Sequence, residues 1–244
     1  MMRFVCVLAV LLCVAVPPAF AGPPYVSDDA EPTDDGHFEI YAFGNGTSTR
    51  DGTTGEAGID FNYGAAPDLQ LTAVVPLSFS SPAGRETVRG FGNIELAAKY
   101  RFLHQESSGW DVAIFPRVFL PSLSNHVGER HAALFVPFWV ERDWGRWSTF
   151  GGGGCALNRG DGSQDYCLAG WALSRRVLPS LTLGVEIYHQ TADTRGGKPS
   201  TGVGAGFTYD LGDHYHLMGS IGPGIQNPSA TDRYSWYTAL LFTY

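Results

Sequence analysis

Cysteine and methionine are scarce in this sequence, basic residues are in the minority, and most of the chain lacks long apolar runs. The 244 residues include 4 Cys and 3 Met. Cys6 and Cys13 fall in the N-terminal apolar stretch, which leaves Cys155 and Cys167. That count excludes a small disulfide-dense scaffold, and the pair has no neighbouring ligand spacing for a zinc module. Lys and Arg number 16 against 24 Asp and Glu, a net charge of −8. The deficit argues against nucleic acid as a partner and against a basic membrane-surface binder. Beyond the leader no stretch approaches 18 consecutive apolar residues, so no transmembrane helix is expected. Helix signals are few as well.

What is present begins with an export signal. Arg3 supplies a positive start, Phe4 to Val16 is apolar apart from its two cysteines, and Ala19-Phe20-Ala21 forms an A-x-A cleavage site. The mature chain is read from Gly22, and loss of Arg3 makes it one charge more negative. Export implies an oxidising compartment, where Cys155 and Cys167 are expected to form a disulfide that stiffens an external loop.

Period-2 alternation dominates the rest. In Asn93–Phe102, Ile94, Leu96, Ala98, Tyr100 and Phe102 share one face, opposite Asn93, Glu95, Lys99 and Arg101. A strand sorts these residues cleanly and a helix would scatter them. Comparable sorting recurs at 57–64, 69–79, 181–188 and 203–209. Strands are expected near 37–46, 55–64, 68–80, 90–103, 109–120, 130–142, 146–156, 166–177, 180–191, 200–210, 213–222 and 233–244. Short connections alternate with long ones, as in outer-membrane barrels with tight periplasmic turns and longer external loops. Hydrocarbon offers no water to an open sheet edge, so a lipid-facing sheet must close. The expected fold is therefore all-β, an antiparallel up-and-down transmembrane β-barrel of about 12 strands over 37–244. It follows a signal peptide, 1–21, and an acidic segment, 22–36. Trp236, Thr238, Leu240, Phe242 and Tyr244 alternate in the last strand, and terminal Tyr244 is expected to present the signal read by the outer-membrane assembly machinery. The six tryptophans fit an interfacial girdle and ordinary packing equally well.

Three stretches carry a family resemblance: Gly22-Pro23-Pro24-Tyr25 to Pro32 with Gly36-His37-Phe38-Glu39-Ile40-Tyr41, then Tyr63-Gly64-Ala65-Ala66-Pro67-Asp68-Leu69, then Gly90-Phe91-Gly92-Asn93 to Phe102. Over roughly the first 80 mature residues the chain resembles the bacterial family of outer-membrane transporters assigned to the meta pathway of phenol degradation. The resemblance implies location in the cell outer membrane and passage of small hydrophobic or aromatic molecules. It brings no catalytic residues and no cofactor.

The charges placed opposite lipid by alternation are Glu39, Asp60, Glu95, Lys99, Arg101, Arg117, Glu141 and Glu186, with Arg117 sharing its face with Phe115 and Phe119. On the lipid side at mid-depth an Arg or Lys costs about 2–4 kcal/mol. In the lumen these groups either form a selective constriction or pair into a network that fills a narrow barrel. Twelve strands lie between the packed eight and the open sixteen, so the count leaves both readings open. Pairing is the favoured one, with some of these residues lining a narrow path. The acidic segment with Asp28, Asp29, Glu31, Asp34 and Asp35 is read as a plug or strap, with calcium binding and periplasmic tethering as alternatives; EF-hand spacing is absent. His214 and His216 at i, i+2 are too few for a metal site. Gly151–Gly154 lacks the Lys-Ser/Thr of a phosphate loop. No G-x-S-x-G occurs, so no enzyme is expected. The sequence thus points to passive passage of small molecules, with a non-conducting structural or interaction barrel as the alternative. The expected partners are outer-membrane lipid and small-molecule solutes, with no metal and no cofactor.

Overall fold

Alternation of apolar and polar residues along successive segments produces a sheet with one greasy and one polar face, and this sheet closes on itself. The computed structural model describes residues 24–124 and 127–244. The signal sequence read from 1–21 lies outside the described residues. Twelve strands run in chain order: β1 (Phe38–Ser48), β2 (Gly52–Ala66), β3 (Leu69–Pro82), β4 in two pieces (Val88–Phe91 and Glu95–Leu103), β5 in two pieces (Asp111–Ile114 and Arg117–Phe119), and β6 (Ala133–Trp144). They continue with β7 (Trp147–Leu157), β8 (Tyr166–Leu178), β9 (Leu181–Gln190), β10 (Ser200–Asp210), β11 in two pieces (Tyr215–Gly222 and Gly224–Gln226) and β12 (Tyr234–Thr243). Each pairs antiparallel with its sequence neighbours, and β1 pairs with β12 from Glu39↔Thr243 to Ser48↔Tyr234, which closes the ring.

The interruptions within three strands have local causes. Pro116 and Pro223 have no N–H to give the ladder, yet their carbonyls still accept from Ala98 N (3.2 Å) and Val203 N (3.1 Å). In β4, Asn93 leaves the ladder to bridge loops, donating to the Leu120 and Glu129 carbonyls and accepting from Glu129 N. A single helical turn, α1 (Gln105–Ser108), lies between β4 and β5 and ends on Gly109 in the left-handed region. The β2–β3 turn places Asp68 at φ 63 after Pro67, which is type II turn geometry.

The outward face is apolar: Ile59, Leu71, Val75, Leu77, Leu96, Val185, Ile187 and Ile221 all stand exposed. A continuous exposed apolar belt is foreign to a water-soluble surface and native to a lipid-facing one. Outward aromatics gather at the end with the short turns, including Tyr63, Phe102, Trp144, Trp147, Tyr209, Tyr215 and Tyr244, as at a membrane interface. Trp139 departs from any girdle: it points inward and is 1 % exposed. Cys155 and Cys167 are direct register partners on β7 and β8 and are disulfide-bonded. The bridge therefore clamps one hairpin as well as closing its loop.

Candidate functional site

Glu39, Asp60, Glu95, Lys99, Arg101, Arg117, Glu141 and Glu186 are buried or half-buried on the face opposite the exposed apolar residues, and that side is occupied. Residues 24–36 run inside the barrel before joining β1. Four wall glycines make room for them, one of them Gly64, where the Asp34 carbonyl passes. A Cβ on Gly206 would stand 2.9 Å from the Tyr25 ring, while one on Gly184 or Gly170 would overlap Tyr25 Oη or Ser27 Oγ. Tyr25 packs against Phe150 with ring centroids 5.8 Å apart. Pro24 accepts a hydrogen bond from Ser220 Oγ.

Glu186 accepts from the backbone N–H groups of Val26 (3.0 Å) and Ser27. Deeper in, Lys99 Nζ lies 3.0 Å from Asp28 and 2.9 Å from Asp29, and it also donates to the Glu31 carbonyl. Arg117 contacts Asp28 at 3.0 Å and Glu95 at 3.4 Å. Both cations stack on Phe115, at 5.1 and 4.4 Å from the ring centroid. That contact explains why an aromatic residue shares the face of Arg117: the ring offers its negative π face to the two cations. Glu141 accepts from Ala30 N and Ser148 Oγ. Thr33 bonds through N and Oγ1 to Gln70, which continues a network with Asn62 and Thr72. At the foot, Gly36 N donates to the Gly64 carbonyl at 2.8 Å.

The carboxylates of the segment sit in unequal fields. The charges of Lys99 and Arg117 overcome burial at Asp28 and hold its carboxyl below the usual range. At Asp29 burial wins against Lys99, and with the Asp28 charge beside it the pKa is pushed up to about 6. Glu31 is raised to about 8, first by burial and then by Asp29, against the pull of Arg101. Desolvation favours the neutral form and a close opposite charge favours the ionised one.

The sequence-predicted residues thus separate into groups. Lys99 and Arg117 meet the segment over Phe115 in the middle of the barrel, and Glu95 pairs with Arg117. Glu39 and Asp60 line the same central gap of about 50 Å³; Glu39 accepts from Tyr41 Oη, and Asp60 accepts from Asn62. Arg101 belongs to the mouth beside the short turns, where it bonds Asp68 at 2.9 Å and lies 3.6 Å from Asp111; His104 reaches the same Asp68. Glu141 and Glu186 hold the backbone of the segment. His214 and His216 take separate partners, the Thr243 carbonyl and Asp210.

Beside the Glu186 contacts of Val26 and Ser27 a chamber of about 220 Å³ opens among Tyr25, Asn45, Glu186, Tyr188 and Tyr237. Tyr188 donates to Asp232 at 2.6 Å. The wall of β11, β12 and β1 is apolar inside as well, with Tyr41, Met218, Ala239 and Leu241 buried together against Phe43 and Tyr237.

Residues 21–234 match the family described as "Putative MetA-pathway of phenol degradation". The chain belongs to this family. No curated protein matches its sequence. Among solved structures, an outer-membrane channel from Pseudomonas putida F1 is similar at 13 % identity with a TM-score of 0.70, over 88 % of this chain and 98 % of that one. The β domain of the Bordetella autotransporter BrkA is similar at 13 % identity with a TM-score of 0.55, over 86 % and 99 %. At such identities the likeness is one of fold, and the fold is that of an outer-membrane β-barrel.

Within this family member, sequence reasoning missed the inner apolar stripe and the glycine cradle of Tyr25. Charges on alternate positions draw attention to themselves. Met218, Ala239 and Leu241 carry no such mark, because in β12 both faces are apolar and alternation loses its contrast.

Proposed function

We propose that this protein is a passive outer-membrane channel for small hydrophobic or aromatic molecules, with residues 22–36 as a plug that must shift for passage. The observation that carries the proposal is the seating of residues 24–36 in the lumen through Lys99, Arg117, Glu141 and Glu186. A packing element would more economically be apolar. Here the contacts are ionic and hydrogen-bonded, and water or a competing charge can replace them. The chamber lined by Tyr25, Tyr188 and Tyr237 and the stripe around Met218 offer an aromatic and apolar surface beside the charged wall. The solved Pseudomonas putida relative is itself an outer-membrane channel. Glu39, Asp60, Glu95, Lys99 and Arg117 are proposed to line the path, and Arg101 to brace its mouth. No catalytic role is proposed for any residue.

Planar-bilayer conductance, with uptake of a small aromatic solute into proteoliposomes, tests this reading. The mature protein and a variant without residues 22–36 are compared, with folding checked by heat-dependent gel mobility. The expected result is a low, intermittent conductance that becomes steady and larger on truncation, together with faster solute uptake. A folded truncated barrel that neither conducts nor takes up solute would overturn the channel and leave a structural barrel.

A further inference from the structure

The outward face of β6, β7 and β8 near the short turns carries two guanidinium groups where lipid is expected. Arg142 alternates with Val140 and Trp144, and Arg175 with Leu173 and Val177, so both point away from the lumen. Their register places them one row apart: Arg142 opposite Thr149, and Arg175 opposite Trp147, which itself faces Trp144. Each cation lies over an indole, Arg142 at 5.7 Å from Trp110 and Arg175 at 5.0 Å from Trp147. Among the described residues neither guanidinium has a carboxylate within ion-pairing distance. Trp171 bonds Thr149 through its indole N–H at 2.8 Å and meets Trp110 edge-on at 6.3 Å. A hollow of about 380 Å³ lies between Trp110, Arg142, Trp144 and Thr149.

An Arg facing hydrocarbon is costly at mid-depth, and the cost falls to about 0–1 kcal/mol near the interface. Short turns mark the periplasmic side of such barrels, where the leaflet is phospholipid. A stacked guanidinium keeps its in-plane N–H donors free, and these match phosphate oxygens in pairs. We propose that this patch is a binding site for an anionic phospholipid of the periplasmic leaflet. The headgroup phosphate is taken by Arg142 with Arg175 adding its charge, and an acyl chain lies along Trp110, Trp171 and Leu173. Two features favour this occupant. The cations lack carboxylate partners, and their surroundings are apolar and aromatic, which suits a ligand that is anionic at one end and hydrocarbon beyond.

Native mass spectrometry of the mature barrel in detergent, offered phosphatidylglycerol or phosphatidylcholine of equal chain length, reads the site directly. Preferential retention of phosphatidylglycerol is expected. Arg142→Gln with Arg175→Gln should weaken it about twenty-five-fold, from about fivefold per basic residue at a charged lipid surface. Arg89→Gln, outward-facing near the other rim, should leave retention unchanged. Equal retention of the two lipids, or full retention in the double variant, would overturn the proposal. So would displacement of the lipid by millimolar inorganic phosphate, which would make this a free-anion site. Should the double variant fail to fold, tryptophan quenching in the unaltered protein decides. Brominated phosphatidylglycerol must quench more steeply than brominated phosphatidylcholine, and equal quenching sinks the site.

Discussion

Lys99 concentrates the electrostatics of the lumen in one side chain. It is 3 % exposed and shared by two carboxylates of the entering segment. Breaking a buried ion pair from one side leaves the other charge stranded, at a cost of about 3–5 kcal/mol. Lys99→Met is therefore expected to release the segment while the barrel itself stays folded, seen as protease cleavage near residues 24–36 with unchanged heat-dependent mobility. Lys99→Arg should restore much of the protection. A second residue-scale prediction concerns Gly184, whose backbone is ordinary for a strand but whose missing Cβ leaves room for Tyr25. Gly184→Val is expected to expel the Tyr25 ring and raise conductance toward that of the truncated protein. Unchanged conductance would show that Tyr25 does not hold the segment in place.

At the scale of elements, the entering segment is the part whose behaviour depends on pH. Asp29 and Glu31 have pKa values raised to about 6 and about 8 when docked. A carboxyl raised on docking favours the docked state below its free pKa, and this contribution is lost as pH rises through the docked value. Around Glu31 stand Asp29, Asp34 and Asp143, with Arg101 as the opposing charge. Docking should therefore loosen from about pH 4, where the free carboxyls ionise, to about pH 8, with Asp29 and Glu31 both contributing up to about pH 6 and Glu31 alone above it, read as rising proteolysis of the segment and rising conductance. Asp28 works the other way. Its depressed pKa contributes docking stability that is present above the free value and lost only in acid. Glu31→Gln is expected to remove the upper part of the pH dependence. The β7–β8 hairpin gives a separate prediction. The disulfide closes a separation of 12 residues between register partners, worth about 2–3 kcal/mol in the chain-entropy account. Cys155→Ser with Cys167→Ser should lower resistance to urea by that order and leave conductance unaltered.

Over the whole molecule, the ring was legible because lipid and lumen make opposite demands on neighbouring residues, and a strand answers both by alternating. Leu96 and Lys99 can each be assigned a side from sequence alone. The strand count was legible for the same reason, while the break at Pro116 inside the expected strand 109–120 was not, nor the continuation of β11 past Pro223, where the expected strand ends at 222; in both, carbonyl contacts carry the pairing past the proline. The partners of Asp28 and Asp29 were hidden by distance: Lys99 is 71 and 70 residues further on, and nothing local in the segment marks which wall it meets. The expectation that Lys99 and Arg117 face the lumen follows from periodicity. Their meeting over Phe115 follows only from how the strands are staggered. Deletion of the segment is the whole-molecule test, since it separates a wall that conducts when cleared from one that is closed by its own side chains.

The strands that complete the ring are the first and the last to be synthesised, and the strand nearest the seam is also the one to which the inner segment is attached. Gly36 is tied to β2 and Phe38 to the far end of β12 within three residues of chain. Pairing across nearly the full sequence is slow because the chain must search a long loop before the first contact is made. Until that happens the sheet is an open trough with an unpaired edge at β1 and another at β12. Once the edges meet, anything lying in the trough is enclosed. A segment already in the trough at closure is then held only by its contacts with the wall, and leaves only through an open end of the barrel.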